Sequence, residues 1–313
     1  MTLAFLILSS LVLVALIQLI DKHLAGKTRP LVLGVLVVSS LVPALVYHLT
    51  VMAMIQFACF LLVSVLERIA PRNRYEFTGQ DNQRAATYNL LRHALHIAFL
   101  GGLVPMLHLR LPGLRLDARG VPVWVQGIGF LVAWDAKEYV IHWASHRFDW
   151  LWRFHKVHHS SLEITALAWA RISFVEDVFR MASTVVMIGL LGIGPAATAA
   201  YGGIITLLAS IVGHANLDVP RAGTRPIWAY LIMSPAFHGY HHVEGYRGNY
   251  ALLSPIWDVM FGTFQLPATK PTKFGIGEPQ FSRQGWVDDQ LATVSPRARE
   301  PAPDAVTGRQ ACG

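Results

Sequence analysis

Long uncharged runs dominate the first part of the chain. Residues 3–20 contain no charged side chain, and a helix of this length can cross the hydrocarbon core of a bilayer. A cleaved signal peptide is the alternative for this run, but no basic residue precedes it and no clear cleavage site follows it. Residues 31–66 form a second uncharged block, too long for one span, in which Pro43 predicts a hairpin of two helices. Residues 67–87 are polar and are expected to lie in water.

Apolar and polar segments alternate in the middle of the chain. Residues 121–134 are apolar, but acidic, basic and histidine side chains then enter the same predicted helix. This helix is therefore expected to leave the membrane near its polar end. Residues 181–213 are again uncharged, and the Gly-Ile-Gly-Pro sequence at 192–195 predicts a break between two helices. From about residue 293 the sequence is rich in proline, alanine and charge without periodicity, which predicts disorder.

This order of runs predicts an all-α, multi-pass integral membrane helical bundle with a histidine-rich cap facing the cytoplasm. Basic residues favour a cytoplasmic position for residues 21–30 and 67–87, which puts the histidine-rich segments on the same side. Three arginines in the 108–120 loop oppose this orientation, and six or so passages fit best. We expect N-terminal transmembrane helices over residues 1–70 and a disordered tail over residues 291–313.

The composition supports a chain that is largely solvated by lipid. Hydrophobic residues make up 53% of the 313 residues and charged residues only 14%, whereas soluble domains carry about 25% charged residues. The net charge of +7 would suit either nucleic-acid binding or a basic rim on a membrane protein. Because the basic residues are scattered between apolar runs, we expect the rim and no nucleic-acid partner. Cys59 and Cys312 are not placed for a disulfide framework or a cysteine-ligated zinc site.

Eight of the fourteen histidines fall in three five-residue windows, one HxxxH and two HxxHH. Side chains three and four residues apart share a helix face, so each window directs its imidazoles the same way. Neutral imidazole is the commonest metal ligand, and this number exceeds the four ligands of one zinc ion, which predicts a two-metal centre. An incidental or pH-sensing cluster is the alternative. The predicted catalytic and metal-ligating residues are those in the windows and one histidine that ends an uncharged run: His142, His146, His155, His158, His159, His214, His238, His241 and His242.

Other histidine chemistries lack their sequence motifs. The chain contains no HExxH of a zinc peptidase, no Gly-x-Ser-x-Gly elbow and no phosphate-binding P-loop. His93 and His96 are supported only by an i, i+3 spacing, and we expect them to pack or to lie at the membrane interface.

The order and spacing of these windows resemble the fatty acid hydroxylase/sterol desaturase superfamily of membrane di-iron enzymes. The resemblance covers about residues 85–280, and a catalytic domain of this kind is expected over residues 71–290. Three residues separate the first two histidines, which is similar to the hydroxylase and sterol branch. Where some relatives carry further histidines, this chain has Ser173 and Asp218. Besides the windows, the resemblance is carried by Asp135, Tyr139, Arg147, Ser160, Ser161, Gly248, Asn249, Tyr250, Ile256, Trp257, Asp258, Gly262 and Thr263.

The resemblance implies O2-dependent oxidation of a membrane lipid at two iron ions, which zinc can replace in preparations. The substrate would be a fatty acyl, sterol or sphingoid lipid, with hydroxylation favoured over desaturation. Two electrons would come from a separate cytochrome b5-like or ferredoxin-like protein. A non-catalytic membrane metal-binding or metal-transport protein that uses the same histidines is the alternative. Four carboxylates are expected to orient imidazoles: Asp135, Glu138, Glu176 and Asp177.

Overall fold

A computed structural model describes part of the chain: residues 59, 62–74, 81–89, 91–92, 118, 120–217, 227–265, 273–277 and 286–294. The predicted helix over residues 3–20 and most of the predicted hairpin lie outside these residues. So does the predicted disordered tail over residues 291–313, except for residues 291–294, which are helical, contrary to the prediction. His93, His96 and Asp218 lie outside the described residues as well.

The described part of the chain is built from helices. It contains no β-strand, and only two isolated bridges, Pro71 with Leu217 and Val243 with Phe274, join extended backbone there. The predicted all-α class is thus confirmed for these residues. Residues 62–69 and 81–89 are helical. The helices that follow are α1 (Val123–Arg147), α2 (Asp149–His159), a 3₁₀ turn (Ala168–Ala170), α3 (Phe174–Leu191), α4 (Pro195–Ile205), a π-helical segment (Thr206–Val212), α5 (Trp228–Leu231), α6 (Pro235–His241), α7 (Ile256–Phe261) and α8 (Trp286–Val294).

Helix α1 carries the apolar run and the following polar residues on one continuous element, as the sequence predicts. Its last residue is Arg147. Phe148 follows with an extended backbone (φ −114°, ψ 121°), and its N–H donates a hydrogen bond to Ala144 O. Helix α2 begins at the next residue. This single-residue break sets the first two histidine windows on two helices that pack against each other.

Close contact between α1 and α4 depends on Gly127. A Cβ atom at this position would lie 1.9 Å from the Tyr201 ring, far inside van der Waals contact. The apolar core beside this contact includes Phe130 of α1 and Ile188 of α3, and it continues to Phe237 next to the third histidine window. The core therefore holds the histidine-bearing ends of α1 and α6 relative to each other.

Helix α3 is bounded by local signals at both ends. Ser173 Oγ accepts a hydrogen bond from Glu176 N at 3.2 Å, which caps the first turn. Glu176 and Asp177 in that turn interact favourably with the positive end of the helix dipole. At the other end Gly192 adopts a left-handed conformation (φ 64°), and α4 begins at Pro195, so the predicted break at 192–195 is confirmed.

Among the residues that the structure describes, no helix combines the length and the apolar character that a membrane crossing requires.

Candidate metal centre

Nine histidines meet in two clusters, and they are the nine that the sequence predicts as ligands. Within each cluster the ring nitrogens lie within 4.8 Å of one another. All are buried except His146, which is half-buried. The five-histidine group consists of His142, His146, His155, His159 and His241, and the four-histidine group of His158, His214, His238 and His242.

Each HxxHH window serves both groups. On α2, His155 and His159 join the five-histidine group, whereas His158 joins the four-histidine group. On α6 the assignment is reversed, because His238 and His242 join the four-histidine group while His241 joins the other. Helix geometry explains the division, since residues at i and i+4 differ by only about 40° around the axis, whereas i+3 and i+4 differ by about 100°.

The remaining histidines come from elements that touch one group only. His142 and His146, at i and i+4 near the end of α1, both belong to the five-histidine group. His214 follows the π-helical segment Thr206–Val212 and belongs to the four-histidine group. Two helices therefore link the groups, and α1 and the segment before His214 complete one group each.

The Nε2 atoms converge within both groups. In the five-histidine group, His159 Nε2 lies 3.2 Å from His155 Nε2 and 3.0 Å from His241 Nε2. In the four-histidine group, His238 Nε2 lies 2.9 Å from His214 Nε2 and 3.1 Å from His242 Nε2.

Backbone carbonyl groups fix the tautomer of three of these rings. Nδ1 of His142 lies 2.6 Å from Tyr250 O, Nδ1 of His241 lies 2.9 Å from Gly248 O, and Nδ1 of His158 lies 3.1 Å from Arg171 O. A carbonyl oxygen only accepts, so each Nδ1 carries the proton and donates it. In each neutral ring the Nε2 atom therefore carries the lone pair, which points into the histidine group.

Lone pairs that face one another at about 3 Å repel, and this arrangement fits a bound cation. His159 Nε2 lies near both His155 and His241, and a single proton on it could satisfy only one of them fully. The Nε2 atoms of His142 and His146 are buried without a hydrogen-bond partner in the described structure. The donor set of neutral imidazoles suits a first-row transition metal, and the residues present therefore fit a metal in each group.

Burial keeps the imidazoles in the neutral form that binds metal. Desolvation, followed by the neighbouring histidines, lowers the pKa of six of the nine rings well below the ordinary value for histidine. Burial likewise lowers the pKa of His241 to about 3, although its hydrogen bond to Gly248 O opposes the shift. At neutral pH these rings are uncharged. The six rings are His142, His146, His158, His159, His238 and His242.

Glu176 is the one of the four expected carboxylates that contacts an imidazole in the described structure. Its Oε1 atom lies 2.7 Å from His155 Nδ1 and 2.8 Å from Arg180 Nε. Burial alone would raise the pKa of the Glu176 carboxyl, but His155 and Arg180 outweigh that effect and hold its pKa at about 2. Glu176 is therefore ionised and accepts the Nδ1 proton of His155.

The other three carboxylates have different partners, so the expectation that they orient imidazoles directly is not met. Glu138 bonds to Arg180 and Lys137. Asp177 pairs with Arg92 Nε at 2.8 Å. Asp135 accepts hydrogen bonds from Leu253 N, Ser254 N and Trp257 Nε1 at 2.9, 3.0 and 2.9 Å.

The segment after the third window supplies functional groups that are part of the backbone. Gly248 and Tyr250 hold His241 and His142 through their carbonyl oxygens. Asp258, fully buried, accepts hydrogen bonds from Tyr250 N and Ala251 N at 2.8 Å each. Asn249, between Gly248 and Tyr250, adopts a left-handed conformation (φ 57°), and its side-chain amide donates hydrogen bonds to Phe237 O and Gln265 O. The geometry of this loop therefore orients two imidazoles, those of His142 and His241.

Comparison with known proteins agrees with this arrangement. Residues 127–263, which include all nine histidines, match the family model described as fatty acid hydroxylase. This match and the curated relatives support the predicted resemblance to the fatty acid hydroxylase/sterol desaturase superfamily. The matched segment is shorter than the region of resemblance expected from the sequence.

Three curated relatives illustrate the similarity. An ornithine lipid hydroxylase, OlsE of Rhizobium tropici, is 27% identical over 271 residues, which cover 81% of this chain and 78% of the relative. A cholesterol 25-hydroxylase-like protein of Danio rerio is 31% identical over 42% of this chain and 53% of the relative. The very-long-chain aldehyde decarbonylase GL1-6 of Oryza sativa subsp. indica is 28% identical over 40% of this chain and only 20% of its own length. No solved structure matches the chain.

Proposed function

We propose that this chain is a membrane lipid hydroxylase with a di-iron centre held by the nine histidines. The observation that carries the proposal is the convergence of buried Nε2 lone pairs in two adjoining groups. A histidine cluster of merely structural purpose would satisfy its ring nitrogens with donors and acceptors, because buried polar atoms without partners are costly.

The five-histidine group would hold one iron and the four-histidine group the other. When bound, the two irons supply O2 activation, so that one oxygen atom enters a lipid C–H bond, and the other leaves as water with two electrons and two protons from outside. The chain itself holds a proton at Nδ1 of each of three imidazoles through the carbonyl groups of Tyr250, Gly248 and Arg171. Glu176 does the same at His155, and burial keeps bulk water away from the groups.

The names of the relatives support a lipid as substrate. One relative, matched over 81% of this chain, is named as a hydroxylase of ornithine lipids, and another is named as a cholesterol 25-hydroxylase-like protein. We propose hydroxylation of a fatty acyl, sterol or sphingoid chain, or of a polar amino-acid-containing lipid, in preference to desaturation. The electrons would come from a separate cytochrome b5-like or ferredoxin-like protein.

A membrane setting is part of the proposal. Helix α1 exposes Trp124, Val125, Ile128 and Val132 on its first turns, which suits contact with lipid or with apolar helices from residues 1–70. The polar end of the same helix carries His142, at the boundary where a bilayer-embedded lipid and a water-soluble electron donor could both reach the site. We propose a multi-pass membrane protein with a catalytic domain over residues 71–290 and its histidines on the cytoplasmic side.

Lipid profiling tests the proposal. Cells that express the chain should contain a lipid class heavier by the mass of one oxygen atom, and cells that express the His241→Ala variant should lack it. Metal analysis of the purified wild-type protein should find about two irons per chain. A lipid lighter by two hydrogen atoms would indicate desaturation instead. Exchangeable metal without O2 uptake on reduction, and with no lipid changed, would favour the non-catalytic metal-binding alternative.

A further inference from the structure

The two histidine groups differ in how firmly their rings are held. Three rings of the five-histidine group donate from Nδ1 to a fixed acceptor, namely His142 to Tyr250 O, His241 to Gly248 O and His155 to the Glu176 carboxylate. In the four-histidine group, His158 donates from Nδ1 to Arg171 O, but the Nδ1 atoms of His238 and His242 are buried without a hydrogen-bond partner in the described structure. The five-histidine group is therefore the better preorganised.

Glu176 adds a negative charge to that difference. Its Oε1 atom lies 2.7 Å from His155 Nδ1, and both side chains are almost completely buried. A carboxylate that accepts the Nδ1 proton makes the opposite nitrogen a stronger electron-pair donor. It also attracts a divalent cation, and the Arg180 guanidinium, which bonds to the same carboxylate, offsets part of this attraction.

The position of Glu176 is fixed from several sides. Its backbone N–H is capped by Ser173 Oγ at 3.2 Å, and its Oε1 accepts from Arg180 Nε at 2.8 Å one turn along α3. Arg180 also bonds to Glu138 on α1, the helix that carries His142 and His146. The Glu176 carboxylate is thus held beside His155 by contacts that involve both α1 and α3.

We infer that Glu176 makes the five-histidine group the tighter of two metal positions, so that this group fills first and the four-histidine group fills second. Glu176 is a positioning residue that acts through His155. The inference rests on the two-metal centre of the proposed function.

Anaerobic titration of the purified, metal-stripped full chain with Fe(II) in competition with a chelator tests the inference. Wild-type protein should bind iron in two phases of different affinity. Glu176→Gln keeps the size and the acceptor oxygen but loses the charge, and it should weaken the tighter phase by about 10–100-fold while leaving the weaker phase unchanged. The matched control is Asp177→Asn. Asp177 is the next residue along α3, is also buried and pairs with Arg92, so this variant should leave both phases unchanged.

Two further backgrounds assign the phases. His238→Ala/His242→Ala disables only the four-histidine group and should retain the tight phase, which Glu176→Gln then weakens. His142→Ala/His146→Ala disables only the five-histidine group, and there Glu176→Gln should change nothing. If Glu176→Gln does not fold, Glu176→Asp, which keeps the charge but shortens the side chain, should weaken the tight phase alone.

The possible failures are distinguishable. Wild-type protein that takes up no more than one iron would overturn the two-metal centre and this inference with it. Two normal phases that Glu176→Gln leaves unchanged, or a loss confined to the weaker phase, would overturn this inference alone.

Discussion

The five-histidine and four-histidine groups are built from the same residue type and share the same two HxxHH helices, yet their surroundings differ. The five-histidine group is bounded by the end of α1, the Gly248–Tyr250 loop and the first turn of α3. In the four-histidine group the Arg171 carbonyl holds His158, while the Nδ1 atoms of His238 and His242 are buried without a hydrogen-bond partner in the described structure. The spacing of the histidines along each helix thus determines which imidazoles meet, whereas the neighbouring loops and helix ends determine how each imidazole is held.

Removing two histidines from one group should have the largest effect on iron content and lipid oxidation. His142→Ala/His146→Ala affects only the five-histidine group and His238→Ala/His242→Ala only the four-histidine group. Each variant should retain about one iron per chain and lose the oxidised lipid product below detection, because the reaction that we propose needs both metals. Metal analysis and lipid profiling of the two variants check this. Loss of both irons from each variant would show instead that the groups fill as one unit.

Replacing Asp258 should damage the five-histidine group from a distance. Asp258→Ala removes the acceptor for Tyr250 N and Ala251 N, and leaving these buried donors unpaired should cost about 2–4 kcal/mol of stability. The carbonyl groups that hold His142 and His241 would shift as a result. Chemical unfolding measures the loss, and Fe(II) titration should show that the tighter phase suffers more.

Asp258→Asn keeps one acceptor oxygen and should lose less stability than the alanine variant. Equal damage to both iron phases would contradict the view that this loop serves the five-histidine group.

Filling the contact between α1 and α4 should have a moderate effect. Gly127→Ala places a methyl group against the Tyr201 ring and should destabilise the protein by about 1–3 kcal/mol. Gly129→Ala is the matched control on the same helix, because a Cβ atom there meets nothing within 4 Å. The control should be neutral or stabilising, since alanine favours a helix over glycine by about 1 kcal/mol. Thermal unfolding of the two variants distinguishes them, and equal melting temperatures would contradict the contact.

The smallest effect is expected at the cap of α3. Ser173→Ala removes the acceptor for Glu176 N and should cost about 1 kcal/mol. Since the same turn positions the Glu176 carboxylate, the tighter Fe(II) phase should weaken slightly while the weaker phase stays constant. Ser173→Thr, which can also cap a helix and adds no charge at this buried position, should retain more stability and iron affinity than the alanine variant. A cap variant with wild-type stability would show that this turn is held by other contacts.

Much of the candidate site could be predicted from the sequence because eight of its nine histidines lie in windows with helical spacing. The nine histidines, the continuous helix through residues 123–147 and the break at 192–195 all follow from local patterns. The division into groups of five and four did not follow, because it depends on how α2 and α6 are rotated relative to each other. A periodic pattern gives the direction of side chains about one axis but not the angle between two helices.

The supporting contacts could be predicted only in part. Glu176 was expected beside an imidazole and lies there, whereas Asp135 instead holds the loop at Leu253 and Ser254. The roles of the Gly248 and Tyr250 carbonyl oxygens could not be predicted, because every residue has the same carbonyl group. The resemblance marked both residues and the neighbouring Asp258, whose carboxylate organises this loop, but it did not indicate what their backbone does.

Helices α2 and α6 each carry histidines of both groups, and they therefore determine the distance between the two proposed metal positions. Each helix contributes to both groups within a single turn, so the separation of the two sites is set by rigid backbone geometry. One extra residue inside either window would rotate its last two imidazoles by about 100° and disengage the helix from both sites at once. An insertion within either window should therefore abolish metal binding at both proposed positions, whereas an insertion in a loop that contacts no imidazole should leave metal binding intact.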